Sequence, residues 1–156
     1  MLITLAALML LSLIILRVTS NFLHTETSLM DSKFGVLGIS LATSMMEEAT
    51  GKSFDENSNN GTVLSLGDLT SIGPESGETY ADFDDFDDYD GLVKWDNSMP
   101  VTNYKIECKV SFVTPTNLEK GTTSKTWHKK LDVMVSTPSS EDTVVMSKVF
   151  SYFYFR

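Results

Sequence analysis

Cysteine, histidine and proline are scarce here, with one Cys, two His and four Pro among 156 residues. A single thiol excludes an intrachain disulfide framework, and no closed zinc site can be built mainly from thiolates. Basic residues are also few: 12 Lys+Arg against 21 Asp+Glu give a net charge of −9. Such a chain repels phosphate backbones, so a nucleic-acid partner is not expected. No proline precedes Pro74, and glycine occurs before residue 52 only at 35, 38 and 51. The first sixteen residues carry no charge at all. These absences remove almost every helix breaker from the first fifty positions.

The apolar content, 42 %, is ordinary for a folded chain, and the length suits one domain or a small domain with an appendage. Its distribution is uneven. Residues 1–16 read MLITLAALMLLSLIIL, apolar except for Thr4 and Ser12. Sixteen residues fall short of the roughly 20 that span a bilayer, and the run to Leu23 brings the length into range, with Arg17 able to snorkel. Three readings follow. A cleaved signal peptide lacks its basic leader, and Arg17-Val18-Thr19-Ser20 is a poor cleavage site. A plain signal anchor is the second. The favoured third makes Met1 a processed end that keeps the apolar helix on the mature protein.

Beyond Arg17 the helix continues. Leu23, Met30, Phe34, Leu37, Leu41 and Met45 step by 7, 4, 3, 4 and 4, a helical stripe with His24, Glu26, Asp31, Lys33, Ser40 and Glu47 between. The helix is predicted to end near Thr50-Gly51 with Gly51 as C-cap, and to weaken at Gly35 and Gly38, where a kink or melted turn is easiest. About 50 residues make about 75 Å of helix, longer than the remaining domain is wide, so its first half must protrude. Residues 29–49 are expected to pack on the protein's own sheet. Residues 1–22, apolar on every side, need lipid or other helices.

Residues 51–103 are turn-rich, with Asn60-Gly61 a hairpin-type turn. From 104 the period becomes two. Tyr104, Ile106, Cys108, Val110 and Phe112 alternate with Lys105, Glu107, Lys109 and Ser111, and Pro115 ends that strand. Residues 116–126 read as a loop. Leu131, Val133 and Val135 alternate with Lys130, Asp132 and Met134 in a second strand, and 143–155 form a third. Cys108 falls on the inward face as inert packing. The expected fold class is α+β: a long helix, apolar in its protruding half and amphipathic in the other, laid on a small antiparallel β-meander. The divisions are 1–23, 24–50, 51–103 with an acidic segment at 80–91, and 104–156.

That arrangement resembles the type IV pilins and pseudopilins. Ala42-Thr43-Ser44-Met45-Met46-Glu47-Glu48 with Lys52-Ser53-Phe54-Asp55-Glu56 is similar to a segment of prepilin-type proteins related to mannose-sensitive haemagglutinin pilus subunits. So is the acidic run Asp84-Asp85-Phe86-Asp87-Asp88-Tyr89-Asp90-Gly91. The resemblance implies a pilin-like lollipop that leaves the inner membrane and joins a helical extracellular filament of its own copies, driven by pilus or secretion machinery. Met1, Leu2, Ile3, Leu5, Leu8, Leu11, Ile14 and Ile15 would then lie in the filament core. Two features depart from the family. Leu5 stands where members usually carry a glutamate, as in some minor pseudopilins, and the common C-terminal disulfide cannot form. A minor pseudopilin of a type II secretion system is one alternative. A membrane-anchored binding module using the acidic loop is another.

Asp82, Asp84, Asp85, Asp87, Asp88 and Asp90 crowd nine positions, and without them the net charge of −9 becomes −3. Tyr80, Phe83, Phe86 and Tyr89 recur every third residue, as in a tight helical turn or an extended loop touching the core. Three readings stay open for this loop. Calcium bound by Asp84, Asp85, Asp87, Asp88 and Asp90 would relieve the crowding. The EF-hand register fails, because Gly91 at its sixth position puts Phe86 at the first and Asn97 at the twelfth. The other readings are a solvated loop without metal, and pairing with a neighbour's basic patch of Lys120, Lys125, Lys129 and Lys130.

No enzyme is expected. Gly51-Lys52-Ser53 ends like a P-loop, yet the required earlier glycine is Met46 and a helix precedes it rather than a strand. His24 and His128 have no metal spacing, and no nucleophile elbow occurs.

Overall fold

The computed structural model describes residues 2–59 and 61–152, the Leu2 side chain excepted. Met1, the Asn60 half of the expected turn, and residues 153–155 of the third expected strand lie outside the described residues. A single helix, α1, runs without interruption over Leu2–Thr50. It is followed by a short helix α2 (Glu56–Asn59), two 3₁₀ turns (Leu66–Asp68 and Asp87–Tyr89) and five strands. The strands are β1 (Val93–Asp96), β2 (Tyr104–Thr114), β3 (Asn117–Thr122), β4 (His128–Ser136) and β5 (Thr143–Ser151). The chain is therefore an α+β protein: one long N-terminal helix on an antiparallel sheet.

The sheet order is β1-β2-β4-β5, with β3 paired to β2. Phe112 of β2 has Lys129 of β4 as partner on one side and Thr122 of β3 on the other. β1 and β3 thus share the edge of β2 opposite β4, one at each end. Two expectations are corrected here. The 116–126 loop contains β3, and the turn-rich region contains β1. Both were hidden by composition: β3 reads Asn-Leu-Glu-Lys-Gly-Thr and is exposed along almost its whole length, so no apolar alternation marks it.

Core-facing residues meet across the strands in the register Ile106↔Val135, Cys108↔Val133 and Val110↔Leu131. All six are at most 5 % exposed. Burial pushes the Cys108 thiol up to about 12, as befits an inert packing sulfur. α1 covers β4 and β5 through Leu37, Leu41, Ala42, Met45, Met46 and Ala49. Packing begins at Asp31 and Phe34, not at residue 29, and Leu23 and Met30 of the predicted stripe remain exposed. The helix does not cover the core alone. Phe54, Val63, Leu69, Phe83, Phe86 and Tyr89 belong to the same cluster, so the 51–92 region is core material rather than a surface loop.

The glycines behave differently from expectation. Gly51 ends α1 by donating to the Glu47 and Glu48 carbonyls at 3.0 and 3.2 Å. It does so without a positive φ, so it is not a left-handed cap. Neither Gly35 nor Gly38 breaks the helix. A Cβ on Gly38 would stand 3.0 Å from Val144 Cγ2, whereas one on Gly35 would meet nothing within 4 Å. Gly38 is where β5 approaches the helix backbone. Gly38→Leu is therefore expected to destabilise the fold by about 1–3 kcal/mol through overpacking. Gly35→Ala should stabilise it by about 0.5–1 kcal/mol through helix propensity. Thermal unfolding of both chains in one detergent measures the difference. Equal shifts would show that the β5 approach is slack.

Candidate functional sites on the exposed helix and in the acidic segment

Two features of this fold call for a chemical account. The first is the N-terminal part of α1. Every residue from Ile3 to Met30 is exposed. Twenty-eight residues extend about 42 Å, against about 30 Å for the hydrocarbon core of a bilayer. Ile3, Leu5, Leu8, Leu11, Ile14 and Ile15 are all among the exposed apolar side chains, from 50 % at Leu5 to 85 % at Ile3. By length and composition this helix can cross a membrane.

Several hydroxyls in and just beyond this segment bond to the helix's own backbone. Thr19, Thr25 and Thr27 donate their hydroxyls to the carbonyls of Ile15, Asn21 and Leu23 at 2.9, 2.9 and 3.0 Å, and Ser32 does the same to Ser28 at 2.8 Å. A hydroxyl satisfied in this way can enter an apolar environment without an orphaned donor.

The sequence also contains a second row that the stripe argument missed. Leu8, Ile15, Phe22, Leu29 and Val36 lie seven residues apart, and each is at least 56 % exposed. The row continues past the point where the other side of α1 begins to bury Phe34, Leu37 and Leu41. The second half of the helix is thus apolar on two sides: one on its own sheet and one facing out. A seven-residue repeat on a helix surface is the pattern of a helix–helix seam.

The second feature is the acidic segment. It is folded into the protein, not solvated. Phe83, Phe86 and Tyr89 are buried in the core, and they carry Asp85, Asp87 and Asp88 inside with them, each 1 % exposed. The every-third-residue aromatic spacing is resolved by the 3₁₀ turn Asp87–Tyr89 and by edge contacts of Tyr80 with Phe83 and Phe83 with Tyr89 at 5.7 and 5.3 Å. Gly91, at φ 76°, then turns the chain toward β1. Tyr80 and Tyr89 donate their hydroxyls to the two carboxylate oxygens of Glu48 on α1, both at 2.8 Å, tying the segment to the helix.

The buried aspartates are held largely by backbone N–H groups. Asp85 Oδ1 accepts from Asp87 N and Asp88 N at 2.8 and 3.3 Å, and Asp88 Oδ2 accepts from Asp84 N and Asp85 N at 3.0 Å each. Asp90 accepts from Val110 N at 2.8 Å, and Asp84, which is exposed, accepts from Asn59 Nδ2 at 2.8 Å. The five aspartates expected to hold calcium therefore point to different partners. Among the described residues the convergent carboxylates are Glu75, Glu78 and Asp88. Three carboxylates, each binding through one or two oxygens, can supply three to six of the six to eight that calcium takes. Burial and a hydrogen bond with Glu78 push Glu75 up to about 7, so near neutrality this trio holds a proton much of the time.

One basic residue completes the picture. Lys129 is fully buried. Its Nζ donates to the Phe54 carbonyl at 2.8 Å, to Asp55 Oδ2 at 3.0 Å, and to Asp87 Oδ1. It lies over the rings of Phe54 and Phe112, 4.6 and 5.7 Å from their centroids. Lys129 is thus the internal counter-charge of the acidic segment, and the reading of it as part of a surface patch is corrected. Of its former companions, Lys125 donates to the Leu69 carbonyl and Lys130 pairs with Asp132 at 3.0 Å.

Asp55 is well supplied with donors, from Asn57 N and Thr70 N to Oδ1 at 3.2 Å each, and from Thr70 N and Oγ1 to Oδ2 at 3.0 and 3.1 Å. Asp85 Oδ2 and Asp87 Oδ2 are buried without another donor. Burial first, then the charge of Asp87 and a hydrogen bond to it, push Asp85 up to about 9. A carboxyl raised this far retains a proton near neutrality, and the two acids titrate together.

No protein-family model matches this chain, and neither a curated protein nor a solved structure is significantly similar to it.

Proposed function

We propose that this chain is a structural subunit of a self-assembling filament of the type IV pilus kind. The observation that carries the reading is the unbroken exposed run Ile3–Met30, continuous with a helix half that is anchored in a folded sheet. A helix apolar on every side has two stable surroundings, lipid and other helices. Removing its apolar surface from water is worth roughly 25 cal/mol per Å². The outward row from Leu8 to Val36 suits packing against copies of itself, since an identical row is present on every copy. In this reading the chain waits in the inner membrane through α1, and machinery lifts it into a filament whose core is made of the N-terminal helices. The sheet domains then form the outside.

Leu5 favours a second reading. A family member without the usual acid at that position resembles a minor pseudopilin, which primes or caps a short filament. Abundance separates the two. Electron microscopy of material sheared from cells, with mass spectrometry of the same fraction, is the test. Thin uniform filaments in which this chain dominates support the major subunit. Filaments in which it is scarce, at the end, support the minor one. Retention in the membrane at low copy with no filament would overturn the major-subunit reading and leave a minor pseudopilin or an anchored binding module.

A further inference from the structure

The Lys129 cluster is an unusual way to bury a lysine. One amine and three carboxyls, from Asp55, Asp85 and Asp87, share a site in which none of the four residues is more than 1 % exposed. Phe54 and Phe112 flank the amine, and Phe86, fully buried, lies between the two aspartates in sequence. Ions are costly in such surroundings, whereas an amine beside a carboxylic acid is not. The three carboxyls are also unequal. Asp55 has four donor contacts besides Lys129. Asp87 faces the amine with Oδ1, its Oδ2 is buried without a donor of its own, and its carboxyl interacts with that of Asp85.

We propose that Lys129 and Asp87 condense to an intramolecular amide, Nζ to Cγ, with Asp55 as proton shuttle and the Asp85 carboxyl as hydrogen-bond donor to the developing oxyanion. The ammonium first gives a proton to Asp87 Oδ1, leaving a neutral amine and a neutral acid. Nζ attacks Cγ, and the charge that gathers on Oδ2 is held by Asp85. Asp55 takes the surplus proton from Nζ and passes it to the hydroxyl on Oδ1. The Cγ–Oδ1 bond breaks and one water leaves. Nothing is oxidised or reduced, and Asp55 and Asp85 end as they began. The fold supplies what the uncatalysed reaction lacks, a nucleophile and electrophile fixed in contact in a dry site. The product leaves the Nζ–H on Asp55 and keeps the amide oxygen as acceptor of the Asp85 proton. It ties β4 to the acidic segment covalently, across forty-odd residues of chain.

The test is the mass of the full chain, purified in detergent with its tertiary fold intact and then denatured. Lys129→Arg, which cannot condense, gives the reference for any modification at the ends. The wild-type chain is expected to fall one water below its sequence mass relative to that reference. Its tryptic digest should contain a branched peptide joining Lys129 to Asp87, with no cleavage after Lys129. Asp87→Asn should form the same amide with loss of ammonia instead, an outcome a mere ion pair cannot give. Folded wild-type protein at full mass, cut normally after Lys129, would overturn the proposal.

Discussion

Leu8→Lys and Leu11→Lys are each expected to abolish filaments while leaving the sheet domain folded. Both side chains are more than half exposed and lie some twenty residues before α1 first touches the sheet. The sheet therefore has nothing to lose, and its thermal unfolding should be unchanged. Assembly has much to lose. A lysine at the centre of an apolar helix costs roughly 2.5–3.5 kcal/mol on insertion scales. In a helical bundle that cost recurs in every copy and in every neighbour it touches. Leu8→Ala, which only trims area, should reduce filament yield far less. Electron microscopy of the sheared fraction reads assembly, and membrane fractionation checks that the chain still reaches the membrane. Normal filaments from either lysine variant would refute the bundled-helix core.

The largest stability effect is expected from Lys129→Met. It removes the partner of the buried carboxyls, ion-paired or amide-linked, and leaves the Asp55, Asp85 and Asp87 carboxyls together in the interior. Breaking a buried pair from one side costs about 3–5 kcal/mol, which for a domain of this size lowers the melting temperature on the order of 15 °C. Lys130→Met is the matched control. Its ion pair with Asp132, at 3.0 Å, is partly exposed, and such pairs are worth at most about 1 kcal/mol. The Lys129→Met deficit should also depend on pH. Buried carboxyls without a cation have folded pKa values raised above their unfolded ones. Their destabilising effect is then absent below the unfolded range and grows as pH rises through the folded values. The gap between variant and wild type should therefore narrow on acidification from pH 8 towards 5. A gap of less than about 1 kcal/mol at pH 8 would show that the interior tolerates the unpaired acids.

The helix was the most legible part of the chain, because an apolar run without breakers leaves few alternatives. The three longest strands followed from alternation at Tyr104–Phe112, Leu131–Val135 and 143 onward. The same alternation held a signal for Lys129. Stepping back by two from Leu131 places Lys129 on the inward face, where a lysine must meet carboxylates. Read as one of several nearby lysines, it looked like surface. The acidic segment was misjudged for a related reason. Six aspartates in nine positions suggest water, yet Phe83, Phe86 and Tyr89 outweigh them, and backbone N–H groups on the tight turn answer the charges. The sequence pattern shows which side chains must be inside. It does not show that small residues such as Ala42, Ala49 and Gly38, rather than the large ones, would set the depth at which the helix sits. Strand β1 carries only one short alternation, Val93-Lys94-Trp95-Asp96, with its apolar side exposed, and β3 carries none.

The path by which α1 enters the folded domain has a mechanical consequence. The stalk and the buried half are one rod with no hinge, so a pull on the stalk travels along the helix axis to its far end. There the rod is moored by Glu48, which takes the Tyr80 and Tyr89 hydroxyls on its two oxygens, and just beyond by Lys52, whose Nζ reaches the Phe83 carbonyl at 2.6 Å. Those moorings lie on the segment that holds Asp87, and Asp87 is tied to β4 through Lys129. Axial tension is thus handed from the rod to residues 80–89 and from there into the middle of the sheet. The rest of the tension spreads over the faces of β4 and β5 on which α1 packs.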